Sequence, residues 1–172
     1  AEVDALMELL VSTISKETAT LMDNDVRLNA FGDLASLPSK CYKELQEAIK
    51  KTKNNKKMTL HLALSYSAKW EITQAVKQIA AKVASGSLSI DAINEQLIDT
   101  EMATYPAPHP ELMIRTSGEY RISNFLLWQL AYAELYFTPT LWPDFRRVDL
   151  FKAIIDFQQR ERRFGLTSEQ IS

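Results

Sequence analysis

Four side chains between residues 115 and 134 carry most of the chemistry this sequence offers: Arg115, Arg121, Ser123 and Glu134. In "ELMIRTSGEYRISNF", residues 111–125, an apolar strand-like run ends on Arg115, a Thr-Ser-Gly turn follows, and Arg121 stands just before Ser123, which reads as a helix start. In open α/β sheets, ligands gather at the carboxyl ends of strands, where the next helix presents free N–H groups. Two guanidinium groups, a hydroxyl and a helix N-terminus meeting at one such end would cradle a diphosphate. Each charge-assisted hydrogen bond contributes about 1.5–3 kcal/mol and the helix end about 0.3–1 kcal/mol. The plainer reading pairs Arg115 with Glu111 or Glu119 at the surface. Glu134 lies inside the apolar run "LLWQLAYAELYF", where an unpaired carboxylate is costly to bury. Its partner is either magnesium, which takes carboxylate and phosphate oxygens together, or one of those two arginines.

The elements that must position these groups alternate. Val3, Leu6, Met7, Leu10, Ile14 and Leu21 recur at helical spacing and predict an amphipathic helix over the first twenty or so residues. "VRLNAFGD" predicts a strand and a stop. Ser36 and Pro38 look like the cap and first-turn proline of a second helix, with Cys41, Leu45, Ala48 and Ile49 on one face. "KTKNNKK" reads as a solvated connector, and "MTLHLALSY" as a buried strand. A helix from about Glu71 to Ser85 closes at Gly86, and a shorter one covers roughly Ser89 to Leu97. The prolines of "YPAPHPE" make a stiff loop leading to Leu112. Beyond the turn, a helix is predicted over Ser123–Ala131, a strand in "AELYFT", a rigid loop in "PTLWPDF" and a last helix over Val148–Arg163. Strands separated by helices imply crossovers, hence an α/β fold with a mainly parallel central sheet covered on both faces, in a single domain over 1–172.

Composition narrows the function. A net charge of -2 gives the whole molecule no pull toward nucleic acid or an anionic membrane, so an anion site must be local. Seven of eight arginines lie from Arg115 onward, while eleven of twelve lysines precede it. Arginine's planar fork matches phosphate oxygens two at a time, which directs the search for oxyanion recognition to the C-terminal third. Cys41 is the single cysteine, excluding an internal disulfide or a cysteine zinc site and fitting a reducing cytoplasm. Only four glycines occur and no glycine-rich phosphate loop, which argues against a nucleotide-binding module. The opening "AEVDALMELL" has no signal-peptide n-region and does not start on an initiator methionine, and the natural protein is expected to begin upstream.

The stretch "LMIRTSGEYRISNFLLWQLAYAELYFTPTLWPDF" closely resembles the C-terminal signature of the cis-prenyltransferase family, bacterial undecaprenyl diphosphate synthases in particular. "EVDALMELL", "VRLNAFGD", "LALSYSAKWEI" and the terminal "RERRFG" have counterparts there in the same order. The resemblance implies a parallel-sheet enzyme, a transferase that condenses isopentenyl diphosphate units onto an allylic (farnesyl) diphosphate with Mg2+, giving a long cis-polyprenyl diphosphate for cell-wall lipid carriers. It further implies that Arg115, Arg121, Ile122 and Ser123 hold isopentenyl diphosphate and that Glu134 ligates magnesium. Arg163 and Gly165 would reach a diphosphate site across a homodimer. Segments 3–14 and 58–66 would help line a tunnel for the growing chain, and a cytoplasmic location with peripheral membrane association for product release belongs to the same expectation. Nucleic acid is not an expected partner.

The departures from the family pattern matter as much. Upstream of the part matching Ala1, family members carry an "MDGNGRWA"-type segment, whose aspartate binds the allylic magnesium diphosphate, and then an "ENW" segment. Neither string occurs in this chain, and "LMDNDVR" does not substitute for them, so no catalytic residue is assigned. The 172 residues are expected to form the C-terminal portion of such an enzyme, inactive without that segment. The alternative is a noncatalytic partner subunit, which would retain the arginine-x-glycine element without the allylic site. Tyr120 stands where some members have histidine, and His61 and His109 are read as structural.

Overall fold

The computed structural model describes residues 2–161 of the 172, with the side chains of 2–8, 11 and 15 outside that description. The chain forms two compact units, Ala1–Thr104 and Tyr105–Ser172.

The first unit runs α1 (Glu2–Asp23), β1 (Val26–Phe31), α2 (Ser39–Thr52), β2 (Met58–Ala63), α3 (Ala68–Ala84) and α4 (Glu95–Glu101), with single 3-10 turns at 34–36 and 90–92. β1 and β2 pair in parallel, Val26 opposite Met58 through Phe31 opposite Ala63, and α2 is the crossover that parallel pairing demands. Cys41, Leu45 and Ala48 recur at helical spacing, so α2 presents one apolar face. That face closes a buried cluster with Ile14, Leu28 and Leu37. Removal of a side chain like Leu45 from water stabilises the fold by about 1.5–3 kcal/mol. Cys41 belongs to this cluster, and burial pushes its thiol above the ordinary range.

Four local expectations change. The helix read over roughly Ser89 to Leu97 forms as a 3-10 turn at 90–92 followed by α4 from Glu95, capped by Asn94. Ser36 does not cap α2: it closes the preceding 3-10 turn by donating to the Asp33 carbonyl at 2.7 Å. Pro38 forces Leu37 into an extended conformation, so the helix can begin only at Ser39, with Pro38 in the cap position. The connector "KTKNNKK" is not solvated throughout, for Thr52 is fully buried and Asn55 nearly so. Thr52 Oγ1 accepts the Leu28 N–H at 3.0 Å and donates to the Ala48 carbonyl at 2.9 Å, bolting the last turn of α2 to β1. β2 is not a buried strand either, with Met58 and Leu60 both exposed. Among the described residues no third strand joins β1 and β2, which leaves that apolar pattern uncovered.

At the carboxyl ends of these strands Gly32 has φ +121°, and a Cβ there would fall 2.0 Å from the Leu64 carbonyl oxygen. Only glycine lets the two strand ends close up, which they do through Leu64 N to Phe31 O at 3.0 Å and Asp33 N to Ser65 O at 3.2 Å. Ser67 caps α3, accepting from Trp70 N, so the helix starts at Ala68 rather than near Glu71, and Gly86 follows it in the left-handed region. Glu71, a carboxylate only 1% exposed, accepts from the Tyr66 hydroxyl at 2.6 Å and from Thr104 N at 3.0 Å, tying the β2–α3 turn to the segment that follows α4.

The second unit contains β3 (Leu112–Arg115), β4 (Glu134–Phe137) and α5 (Arg147–Gln158), with a 3-10 turn at 142–144. β3 and β4 are also parallel, so the fold is α/β with one parallel pair in each unit. The helix predicted from Ser123 is absent. Residues 121–133 make successive turns, and Ser123, Asn124 and Leu126 adopt left-handed φ values of 52°, 60° and 49°. A helix apolar on nearly every side holds together only when packed all round, and Phe125, Leu127 and Tyr132 remain exposed.

Two outcomes test this account. Thr52→Val keeps the shape but strands the Leu28 N–H, and is expected to cost about 1–3 kcal/mol in urea unfolding, against little change for the exposed Thr59→Val. His61 lies opposite Asn29, whose Nδ2 is 3.4 Å from Nδ1, and burial, followed by the Arg27 charge, lowers its pKa from 6.5. The unfolded chain therefore takes up a proton that the folded one resists. The stability present above pH 6.5 is lost as pH falls through the lower folded value. Melting curves across this range should show that loss, and His61→Gln should flatten it.

Candidate functional site

Parallel pairing places the charged groups of the second unit. Leu112 lies opposite Glu134 and Arg115 opposite Phe137, so Arg115 ends β3 at the carboxyl edge while Glu134 begins β4 at the amino edge. Three residues of strand separate those edges, roughly 10 Å at about 3.3 Å per residue.

The carboxyl edge is firmly built. Thr138 N donates to the Arg115 carbonyl, Ser117 N to Thr140 O and Gly118 N to Thr138 O, each at 2.9 Å. Ser117 and Gly118 both take left-handed φ, near 69° and 67°, which swings the Thr-Ser-Gly turn back over the end of β4. Tyr120 then lies against Phe137, ring centroids 5.4 Å apart. Arg115 is half-buried at this edge, and among the described residues it has no ion-pair partner. The surface pairing with Glu111 or Glu119 expected for it does not form. Instead Glu119 pairs with the exposed Arg121. Ile122 is half-buried and Ser123 exposed, and with no helix behind it Ser123 caps nothing. Of the groups assigned to a diphosphate cradle, the helix N-terminus does not form, and Arg121 is engaged with Glu119.

Glu134 does pair with an arginine, but neither of the two expected. Its Oε2 accepts from Arg160 Nη1 at 2.9 Å, the same nitrogen donates to the Leu135 carbonyl at 3.0 Å, and Nη2 sits 2.5 Å from Asp156 Oδ2. The contact with Asp156 is an ion pair rather than a well-directed hydrogen bond. The hydrogen bond to Glu134 comes first in raising the guanidinium pKa above its ordinary value, with desolvation opposing it and Asp156 adding to it. One signal in the sequence pointed to Arg160: it lies four residues after Asp156, the spacing at which a helix brings opposite charges together. Its reach to Glu134 depends on tertiary placement. Oε1 of Glu134 has no recorded hydrogen bond among the described residues. Arg163 and Gly165 lie outside the described residues. The side chains of 3–8 and 11, part of the segment read as lining a tunnel, are likewise outside them.

Comparison with known proteins agrees with this architecture. The family described as "Putative undecaprenyl diphosphate synthase" matches residues 1–165. An isoprenyl transferase of Chlorobaculum tepidum is 52% identical over 170 residues, covering 99% of this chain and 64% of its own length. A ditrans,polycis-undecaprenyl-diphosphate synthase of Pasteurella multocida, named as (2E,6E)-farnesyl-diphosphate specific, is 45% identical over 98% of this chain and 70% of its own. Among solved structures, lavandulyl diphosphate synthase from Lavandula x intermedia, in complex with dimethylallyl diphosphate, superposes with a TM-score of 0.93 at 37% identity, over 95% of this chain and 71% of that one. The chain spans about two thirds of the length of these relatives.

The Arg160 assignment can be checked by a double-mutant cycle. Arg160→Gln and Glu134→Gln should couple by about 1 kcal/mol or less in unfolding free energy, as befits a pair with side chains 31% and 27% exposed. Arg115→Gln should couple to Glu134→Gln not at all.

Proposed function

The chain belongs to the undecaprenyl diphosphate synthase family of prenyltransferases, and on that premise we propose that the complete protein is a cis-prenyltransferase. In this reading it condenses isopentenyl diphosphate units onto an allylic diphosphate, farnesyl diphosphate, and releases undecaprenyl diphosphate, a precursor of the cell-wall lipid carrier. The observation that carries the reading is the half-buried Arg115 at the carboxyl end of a parallel strand, with Arg121 beyond a tight turn. The partner-subunit alternative is not favoured, since relatives 45–52% identical are themselves named as transferases and synthases.

Arg115 and Arg121 would grip the diphosphate of isopentenyl diphosphate, with Ile122 and Ser123 beside them, and so hold the alkene near the reacting carbon. Fixed guanidiniums also offset anionic charge on phosphate oxygens. For Arg121 this requires exchanging Glu119 for phosphate, an easy exchange for a side chain 67% exposed. Glu134 suits magnesium: it is a hard oxygen donor, partly exposed, with Oε1 open while Arg160 holds Oε2. When bound, magnesium would neutralise charge developing on a diphosphate leaving group. Arg163 and Gly165 would contribute from the C-terminal segment of a homodimer partner. No "DGNGR"-type aspartate occurs in the 172 residues, and by themselves they are expected to be inactive.

In the complete protein, Arg121→Ala should lower kcat/KM for isopentenyl diphosphate by roughly one to two orders of magnitude, the loss of one contact of about 1.5–3 kcal/mol. Glu134→Gln should cut magnesium-dependent turnover while leaving the melting temperature nearly unchanged. Unaltered kinetics for Arg121→Ala would remove that residue from the site, and a Glu134→Gln protein that merely unfolds would return the carboxylate to a structural role.

A further inference from the structure

The first unit carries a second concentration of charge, far from the arginines in sequence. Residues 50–57 contain five lysines and no acid, and all five are exposed, as is Arg27 on the neighbouring strand. Among the described residues none of these six cations has an ion-pair partner. Arg27, Lys53, Asn54, Asn55 and Lys56 surround an open recess of about 370 Å³.

The loop that holds them is rigidly made. Asn55, 7% exposed, donates from Nδ2 to the carbonyls of Val26 at 2.8 Å and Leu21 at 3.3 Å. Asp25 takes a left-handed φ of 56° and directs Oδ1 to Lys56 N and Oδ2 to Lys57 N, both at 3.0 Å. Asp25 is therefore committed to two main-chain amides, which fix the backbone that carries Lys56 and Lys57. A fixed backbone lowers the ordering cost of meeting a charged surface.

The chemistry beside the cations says which surface. Met22, whose sulfur lies 3.6 Å from Asn55 Nδ2, and Met58, next to Lys57, are both about half exposed. Flexible apolar side chains next to a polybasic loop suit the boundary between lipid headgroups and acyl chains. Residues 50–60 include no aromatic ring on which a nucleic-acid base could stack. We propose that the 50–57 loop with Arg27 is a docking surface for an anionic lipid bilayer, the lysines meeting headgroup phosphates while Met22 and Met58 enter the interface. This goes beyond the proposed reaction and does not require it, although a polyprenyl product would need a membrane to receive it.

The test uses the complete protein and sedimentation with vesicles of phosphatidylcholine, alone or with about one third phosphatidylglycerol. Wild type should bind only the anionic vesicles and be released in about 1 M salt, where the screening length falls to about 3 Å. Lys53→Gln, Lys56→Gln and Lys57→Gln together should weaken binding roughly 100-fold, at roughly fivefold per cation. Those substitutions leave the main-chain amides that Asp25 holds, and a melting curve checks that they do. Equal removal of charge at Lys40, Lys43 and Lys77 should do far less. Equal binding to neutral vesicles, equal loss in the control, or a triple variant that sediments like wild type would each overturn the proposal. So would a single-stranded oligonucleotide that competes as well per phosphate as the vesicles. None of these readouts depends on turnover, so a failure of the proposed reaction would leave them standing.

Discussion

The parallel pairing of β3 with β4 decides where the charges of the second unit can act. Main-chain hydrogen bonds set Leu112 against Glu134 and Arg115 against Phe137, and no side-chain rearrangement brings the glutamate to the edge where Arg115 stands. An antiparallel pair would have put both at one edge. The pairing therefore gives the unit two electrostatic centres: a cationic edge built on a left-handed turn, and a carboxylate pair, Glu134 and Asp156, gathered on Arg160. A ligand using both must be extended along the strand direction, or one centre must serve a group arriving from elsewhere.

The other constraint is the supply of apolar cover. β1 buries Leu28 against Ile14 of α1 and Cys41, Leu45 and Ala48 of α2, yet Met58 and Leu60 of β2 stay open. In the second unit, "FLLWQLAYA" has the composition of a fully enclosed helix and forms turns instead. Both cases show apolar sequence without enough surface to pack on.

These same facts separate what was legible in the sequence from what was not. Periodicity carried the elements well: the alternation of "VRLNAF", the spacing of Cys41, Leu45 and Ala48, the Gly86 terminator and the strand in "AELYF" all report on contacts close in sequence. It failed where local preference was overruled. Pro38 displaced the expected cap through its effect on Leu37, and the Ser123 helix was lost because helix formation in an apolar segment is decided by neighbours. At the site, residue types led to Arg115, Arg121 and Glu134, but partner choice was hidden. Arg160 reaches Glu134 across 26 residues, Glu71 receives Thr104 N across 33, and Asn55 reaches Leu21 across 34. No spacing rule signals such a contact before the fold is known.

The division of cation types follows from the same geometry. An arginine at a strand end has a fixed direction, so a planar fork aimed at a few oxygens can use that precision, as at Arg115, while Arg160, just past α5, is fixed by its bonds to Glu134 and the Leu135 carbonyl. The lysines of the 50–57 loop answer a different requirement. A bilayer surface offers phosphates at many positions and no single geometry, and compact charges on long stems adapt to it without losing their hydration. What must be fixed there is the loop rather than each ammonium group, and the loop is where Asp25 and Asn55 place their hydrogen bonds. Exchanging lysine for arginine in this loop would keep the charge and the long-range attraction, whereas the reverse exchange at Arg160 would lose the fork that binds Glu134, Leu135 and Asp156 at once.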